Sequence, residues 1–141
     1  MVRSRKLTVV VLALTAGLLF ASAPAAQAAT NVRIRVHMDF VGDGCYEGTF
    51  TSDGAINDRG TAKLCDRRFV PPRTLIGTQN LDGADHYELT YKVNCNADFS
   101  VCDGNWQIKM GQYVGRGTTH QVATENPSED TLDAVFTGTI E

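Results

Sequence analysis

Helical periodicity is missing from this sequence. No stretch repeats apolar residues every three or four positions, and apolar and polar residues alternate instead. Proline is scarce, at 4 of 141 residues, so no proline-rich linker divides the chain. The longest apolar run, Leu7 to Phe20, has 14 residues, short of the roughly 20 that a helix needs to cross a bilayer. Basic residues are few and scattered. Arg67 and Arg68 form one pair beside Asp66, and no lysine–arginine cluster exists to hold a phosphate backbone, which excludes nucleic-acid binding.

Motifs of catalysis are equally thin. Ser52, Ser100 and Ser128 sit outside any glycine-x-serine-x-glycine setting, which argues against a serine hydrolase. The three histidines, His37, His86 and His120, have no ligand spacing between them, so no metal is expected. Gly111 to Gly117 is glycine-rich, but no helix follows to complete a phosphate cradle. The acidic stretch Glu125–Asp133 lacks the alternating aspartates of a calcium loop. Carboxylate pairs among Asp39, Glu47 and Glu88 would need a sugar groove that a chain of this size has little surface to build. No catalytic residue and no cofactor is assigned.

What is present begins with an export pattern. Arg3, Arg5 and Lys6 precede the Leu7–Phe20 run, and Ala26-Gln27-Ala28 fits the small-x-small site of a signal peptidase. No cysteine follows closely enough for lipid attachment. The pattern predicts a signal peptide over 1–28 and a secreted, extracellular domain over 29–141, with no membrane contact after cleavage. That domain holds 10 basic and 16 acidic residues, a net charge of −6 that favours solubility.

All four cysteines, Cys45, Cys65, Cys95 and Cys102, lie in the exported part, and an even count there reads as two disulfides. Paired two-residue spacings of a zinc site are absent. Cys95 and Cys102 are close enough to close a local loop. The midpoint of Cys45 and Cys65 falls at Ala55, inside Asp53-Gly54-Ala55-Ile56-Asn57. A chain reversal there sets the two cysteines opposite each other on antiparallel strands, whereas a turn at Asn57-Asp58-Arg59-Gly60 would not. Cys45–Cys65 and Cys95–Cys102 are the expected pairs.

Period-two alternation marks the strands. Val32, Ile34, Val36, Met38 and Phe40 share one face of a strand over Asn31–Phe40, which Gly42-Asp43-Gly44 breaks. Further strands are expected over Tyr46–Ser52, Gly60–Cys65 and Arg73–Leu81. The last of these forms a hairpin through Asp82-Gly83-Ala84-Asp85 with Tyr87, Leu89, Tyr91 and Val93. Asn94–Gly104 reads as a polar loop, Trp106–Met110 as a strand, Gly111–Gly117 as a turn region and Thr118–Thr124 as another strand. After a solvated loop over Glu125–Asp130, Leu132, Ala134, Phe136, Gly138 and Ile140 share a face of the last strand. Eight short strands with tight turns imply one all-β domain, an antiparallel eight-stranded barrel or barrel-like sandwich with two disulfides.

A resemblance accompanies that pattern. Gly48-Thr49-Phe50-Thr51, Gly54-Ala55-Ile56 with Asp58 and Gly60-Thr61-Ala62, and Gly77-Thr78 with Leu81 and Gly83-Ala84 are one part of it. The other part is Trp106, Ile108, Gly111, Tyr113, Gly115 and Gly117, with the terminal Phe136-Thr137-Gly138-Thr139-Ile140. Together they resemble small secreted bacterial proteins similar to the allene oxide cyclase and dirigent-like barrels. The likeness covers most of the exported chain and implies an eight-stranded antiparallel barrel with a central cavity. The four cysteines depart from the plant enzymes, and no catalytic residue carries over.

Three functions follow as expectations. The first is binding of a small apolar or aromatic molecule in the barrel, lined by Phe40, Phe50, Tyr91, Trp106 and Phe136, residues that would otherwise simply fill the core. The second is an inhibitor or interaction module presenting Asp98 and an exposed Phe99 on the Cys95–Cys102 loop to an extracellular protein partner. The third is a cyclase-like enzyme on the same barrel. The sequence fixes no oligomeric state.

Overall fold

The structure, a computed structural model, describes residues 30–124 and 130–141. The expected signal peptide and the expected loop over Glu125–Asp130, apart from Asp130, lie outside the described residues. Among those residues, eight antiparallel strands follow one another round a closed barrel: β1 (Asn31–Gly42), β2 (Cys45–Gly54), β3 (Asp58–Val70), β4 (Thr74–Asp82), β5 (His86–Cys95), β6 (Val101–Met110), β7 (Tyr113–Thr124) and β8 (Thr131–Ile140). Each strand pairs with its neighbours in sequence, and β1 closes on β8. Closure leaves no strand edge unpaired, which removes the template for edge-to-edge association.

Alternation fills the lumen. Val32, Ile34, Val36 and Met38 point inward from β1, and Tyr87, Leu89, Tyr91 and Val93 from β5. Phe50 packs edge-on against Tyr87, with ring centroids 6.0 Å apart. Phe136 meets Trp106 edge-on at 6.1 Å and a tilted Tyr91 ring at 6.5 Å. The Trp106 indole donates to the Thr137 carbonyl at 3.1 Å, which satisfies its one polar atom inside the wall.

Several strands run further than the sequence suggests. β3 continues past Cys65 to Val70, because its second half pairs with β4 up to Val70↔Thr74. The expected loop over Asn94–Gly104 is mostly ladder: Cys95 pairs with Cys102 and Val93 with Gly104, leaving residues 96–100 as the loop. Gly111–Gly117 is likewise a turn only at 111–112, and Gly115 and Gly117 belong to β7. Gly117 faces Gly138 of β8, where an added Cβ would collide with the Thr137 carbonyl. Gly117 and Gly138 bring backbones together, Gly115 leaves room for the Ile140 and Ile108 side chains, and none of them reverses the chain.

The barrel has two unlike ends. Residues 55–57, 83–85 and 111–112 make tight connections at one end, where β1 begins and β8 finishes. Asp58 clamps this end, accepting hydrogen bonds from the amides of Arg59 (2.7 Å) and Ala84 (3.0 Å) and from the Tyr87 hydroxyl (2.7 Å). The other end carries both disulfides, Cys45–Cys65 with Cα atoms 4.2 Å apart and Cys95–Cys102 at 4.0 Å. The chain does reverse at residues 55–57, and the register Tyr46↔Leu64 puts Cys45 opposite Cys65.

Candidate functional site

The disulfide end opens into a cavity of about 520 Å³, lined from seven of the eight strands and two of the loops. Its construction starts with a β-bulge. Ala62 and Leu64 point into the barrel, and simple alternation would send Asp66 in and Arg67 out. The ladder slips between Leu64 and Asp66, however, so that Leu64 faces Gln79 while Asp66 faces Thr78 and Arg67 faces Gly77. One extra residue, Cys65, is absorbed, and Arg67 turns toward the lumen. The Cys45–Cys65 bridge is fastened at that slip.

Arg67 then stacks its guanidinium 5.1 Å from the centre of the Tyr46 ring, within cation–π range. Tyr46 in turn meets Phe40 edge-on at 5.4 Å. Opposite Arg67, Gly77 has no side chain, and the Tyr91 ring occupies that space. The Tyr91 phenol is buried without a hydrogen-bond partner of good geometry. Burial pushes its pKa up to about 12, an effect that the positive charge of Arg67 partly offsets.

Leu75, Leu132, Ala123 and the Cys95–Cys102 bridge, through Cys102, supply most of the remaining apolar wall. Gln121 reaches in from β7, on the far side of the barrel from β3. It is only 3% exposed, and its amide nitrogen has no partner. Thr119, also on β7, and Gln79, two residues deeper than Gly77 on β4, are buried with unpartnered polar atoms as well. A buried amide without a partner costs roughly 1–3 kcal/mol. Such groups therefore call for an explanation that packing alone does not supply.

The expected site residues separate cleanly. Phe50, Tyr91, Trp106 and Phe136 are buried in the packed core, and their ring contacts fill the middle of the barrel. Phe40 continues the inward face of β1 but lies beyond the packed layer, 45% exposed, on the cavity wall. Phe99 is not the outward anchor expected of it. Asn96 and Asp98 build the loop on itself: the Asp98 carboxylate accepts from the Ser100 hydroxyl at 2.6 Å and its amide at 3.1 Å, and Asn96 accepts from the Val101 amide at 3.1 Å. Phe99 takes a left-handed backbone, φ 62°, and turns inward over the cavity against Phe69, 5.8 Å between centroids. Asp98 stays exposed, and its carboxyl is held below the ordinary range chiefly by the Ser100 hydroxyl.

Tyr46, Arg67, Leu75 and Gln121 were not among the expected lining residues. Tyr46 and Gln121 follow inward-facing periodicity and could have been found by it. Arg67 could not, because its direction depends on the bulge.

The three histidines lie on the outer wall, each with an aspartate: His86 with Asp82 at 2.6 Å, His120 with Asp103 at 2.6 Å, and His37 with Asp133. The hydrogen bond to Asp133 raises the His37 pKa. Among the described residues, no three metal-ligating side chains converge. A second cavity, of about 300 Å³ at the opposite end, is bounded by Ile56, Ile108, Met110, Tyr113 and Ile140 and has no buried polar side chain in its lining. Comparison of the chain with protein-family models, curated proteins and solved structures gives no match.

Proposed function

We propose that this is a secreted binding protein that holds a small apolar or aromatic molecule at the disulfide-braced mouth of its barrel. The observation that carries the reading is a cavity of about 520 Å³ whose apolar wall includes the buried, unpartnered amide of Gln121. Volume and lining suit a small ligand, since such sites combine apolar surface with a few placed polar groups. The binding position differs from the one expected along the lumen, which Trp106 and Phe136 occupy themselves.

Binding is favoured over catalysis by the chemistry of the polar groups. Of the polar groups on the lining, Arg67, Gln121 and Tyr46 can orient a guest, and Asp130 is the single carboxylate, with no second acid–base residue paired to it. The inward turn of Phe99 weighs against the Cys95–Cys102 loop as a protein-docking anchor. The closed eight-stranded antiparallel shape is the support for a relationship to allene oxide cyclase-like barrels.

Two measurements test the reading. Native mass spectrometry of the protein recovered from its culture medium is expected to show a bound small molecule. Fluorescence titration with the neutral apolar probe N-phenyl-1-naphthylamine is expected to show one saturable site, weakened in Phe99→Ala. A bare monomer that binds no probe would overturn it.

A further inference from the structure

We propose that the ligand carries an anionic group, a carboxylate or sulfonate, seated against Arg67. The inference rests on the mouth being a small-molecule site and specifies which class of molecule enters it.

The argument begins with direction of hydrogen bonding. Two donors on opposite sides of the barrel face this mouth, the Arg67 guanidinium and the unpartnered Gln121 amide nitrogen, with the Asp130 carboxylate as the one charged acceptor on the lining. Arginine has donors and no acceptor. Donors facing one space from two sides select a guest with acceptors, and an anion supplies them most strongly.

Charge supports the same choice. Among the described residues, no carboxylate lies within ion-pair distance of Arg67, whereas Arg116 has Glu141 at 3.5 Å. Tyr46 covers one face of the guanidinium, and stacking leaves the in-plane N–H groups free for a planar oxyanion. The exported chain carries a net charge of −6, which repels anions in general, so capture of one would be a local property of the mouth. One carboxylate, Asp130, does sit on the lining. It opposes an anionic guest and offers a second handle on the same question.

The apolar part of the guest has its own wall. Phe40, Phe99, Leu75 and Leu132 surround the space above Arg67, so the molecule is amphipathic, an apolar body with one acidic head.

A matched pair of probes tests this on the secreted protein. 1-Anilinonaphthalene-8-sulfonate and N-phenyl-1-naphthylamine share their ring system and differ by the sulfonate. The wild type is expected to bind the sulfonate at least about tenfold tighter, with the advantage shrinking as salt rises. Arg67→Gln is expected to abolish that advantage while leaving the neutral probe within about twofold, a charge effect that simple loss of packing does not imitate. Arg67→Lys should restore part of it, and Asp130→Asn should enlarge it. Circular dichroism of each variant checks that the barrel is intact. If the neutral probe binds and the sulfonate has no advantage, or Arg67→Gln weakens both equally, the anionic ligand is wrong and the mouth site survives. If neither probe binds, the mouth reading itself falls.

Discussion

The Tyr91 ring lies where a side chain on Gly77 would be: a Cβ added there would come within 2.6 Å of the Tyr91 ring carbon Cζ and of its hydroxyl oxygen. Tyr91 is fully buried and cannot swing aside. Gly77→Ala is therefore expected to overpack the wall and cost about 1–3 kcal/mol, read as a lower midpoint in urea unfolding. Because Gly77 also faces Arg67, the same variant should disturb probe binding at the mouth. An alanine tolerated with no change in either measurement would refute the packing argument.

Gln79 gives the opposite sign. It is fully buried, and neither atom of its amide has a hydrogen-bond partner. Gln79→Met keeps the length and removes both unpaired groups. A gain of roughly 1 kcal/mol is expected, visible as a higher thermal midpoint. A loss of stability would mean that the amide is satisfied in solution by a bound water or guest.

The two bridges should contribute unequally. Closing a longer loop restricts the unfolded chain more, so the pair 20 residues apart, Cys45–Cys65, should outweigh the pair 7 apart, Cys95–Cys102. Double serine variants are expected to lose about 3 kcal/mol and somewhat less, respectively, within the usual 2–4 kcal/mol range. Equal losses, or a greater loss for the shorter loop, would point to native-state packing around Cys102 and not to chain entropy.

Acid should loosen the end that Asp58 clamps. Its folded-state pKa is lowered to about 2, first by the Ala84 amide and then by the Tyr87 hydroxyl, against 3.8 for an ordinary aspartate. A depressed carboxyl favours the folded state above pH 3.8, and that contribution fades as pH falls from there through 2. Asp58→Asn should flatten the pH dependence of the thermal midpoint in that interval and leave its slope near neutrality unchanged. A variant with the same acid slope as the wild type would assign the loss elsewhere.

Sequence periodicity carried the barrel a long way. Val32 to Met38 alternate without interruption, and their burial follows letter by letter. The Cys45–Cys65 register was legible because the pairing is set by arithmetic once the reversal is placed within Asp53-Gly54-Ala55-Ile56-Asn57, centred on Ala55. Phe40 shows the limit of the method: period two assigns it a face but not a depth, and the packed layer stops at Met38. Arg67 shows another. A bulge changes which side every later residue faces, and nothing in Leu64-Cys65-Asp66 announces one. Gly115 and Gly117 misled for a related reason, since the same residue serves a turn, a close backbone approach as at Gly117, or space for neighbouring side chains as at Gly115. The site was hidden mostly because its key side chain is aimed by an irregularity.

The pairing of Asn31 with Thr139 has a practical side. The first strand starts and the last one finishes next to each other, at the pole of the barrel away from the disulfides and the mouth. Anything attached beyond Ile140 therefore departs on the side remote from the cavity. The protein can be anchored to a surface by that end, or displayed on a fusion partner, with its opening still facing away from the point of attachment. A short bridge from Glu141 back to Thr30 would also leave the mouth untouched, so a circularly permuted chain cut at the turn of Gly111 and Gln112 should keep the same opening.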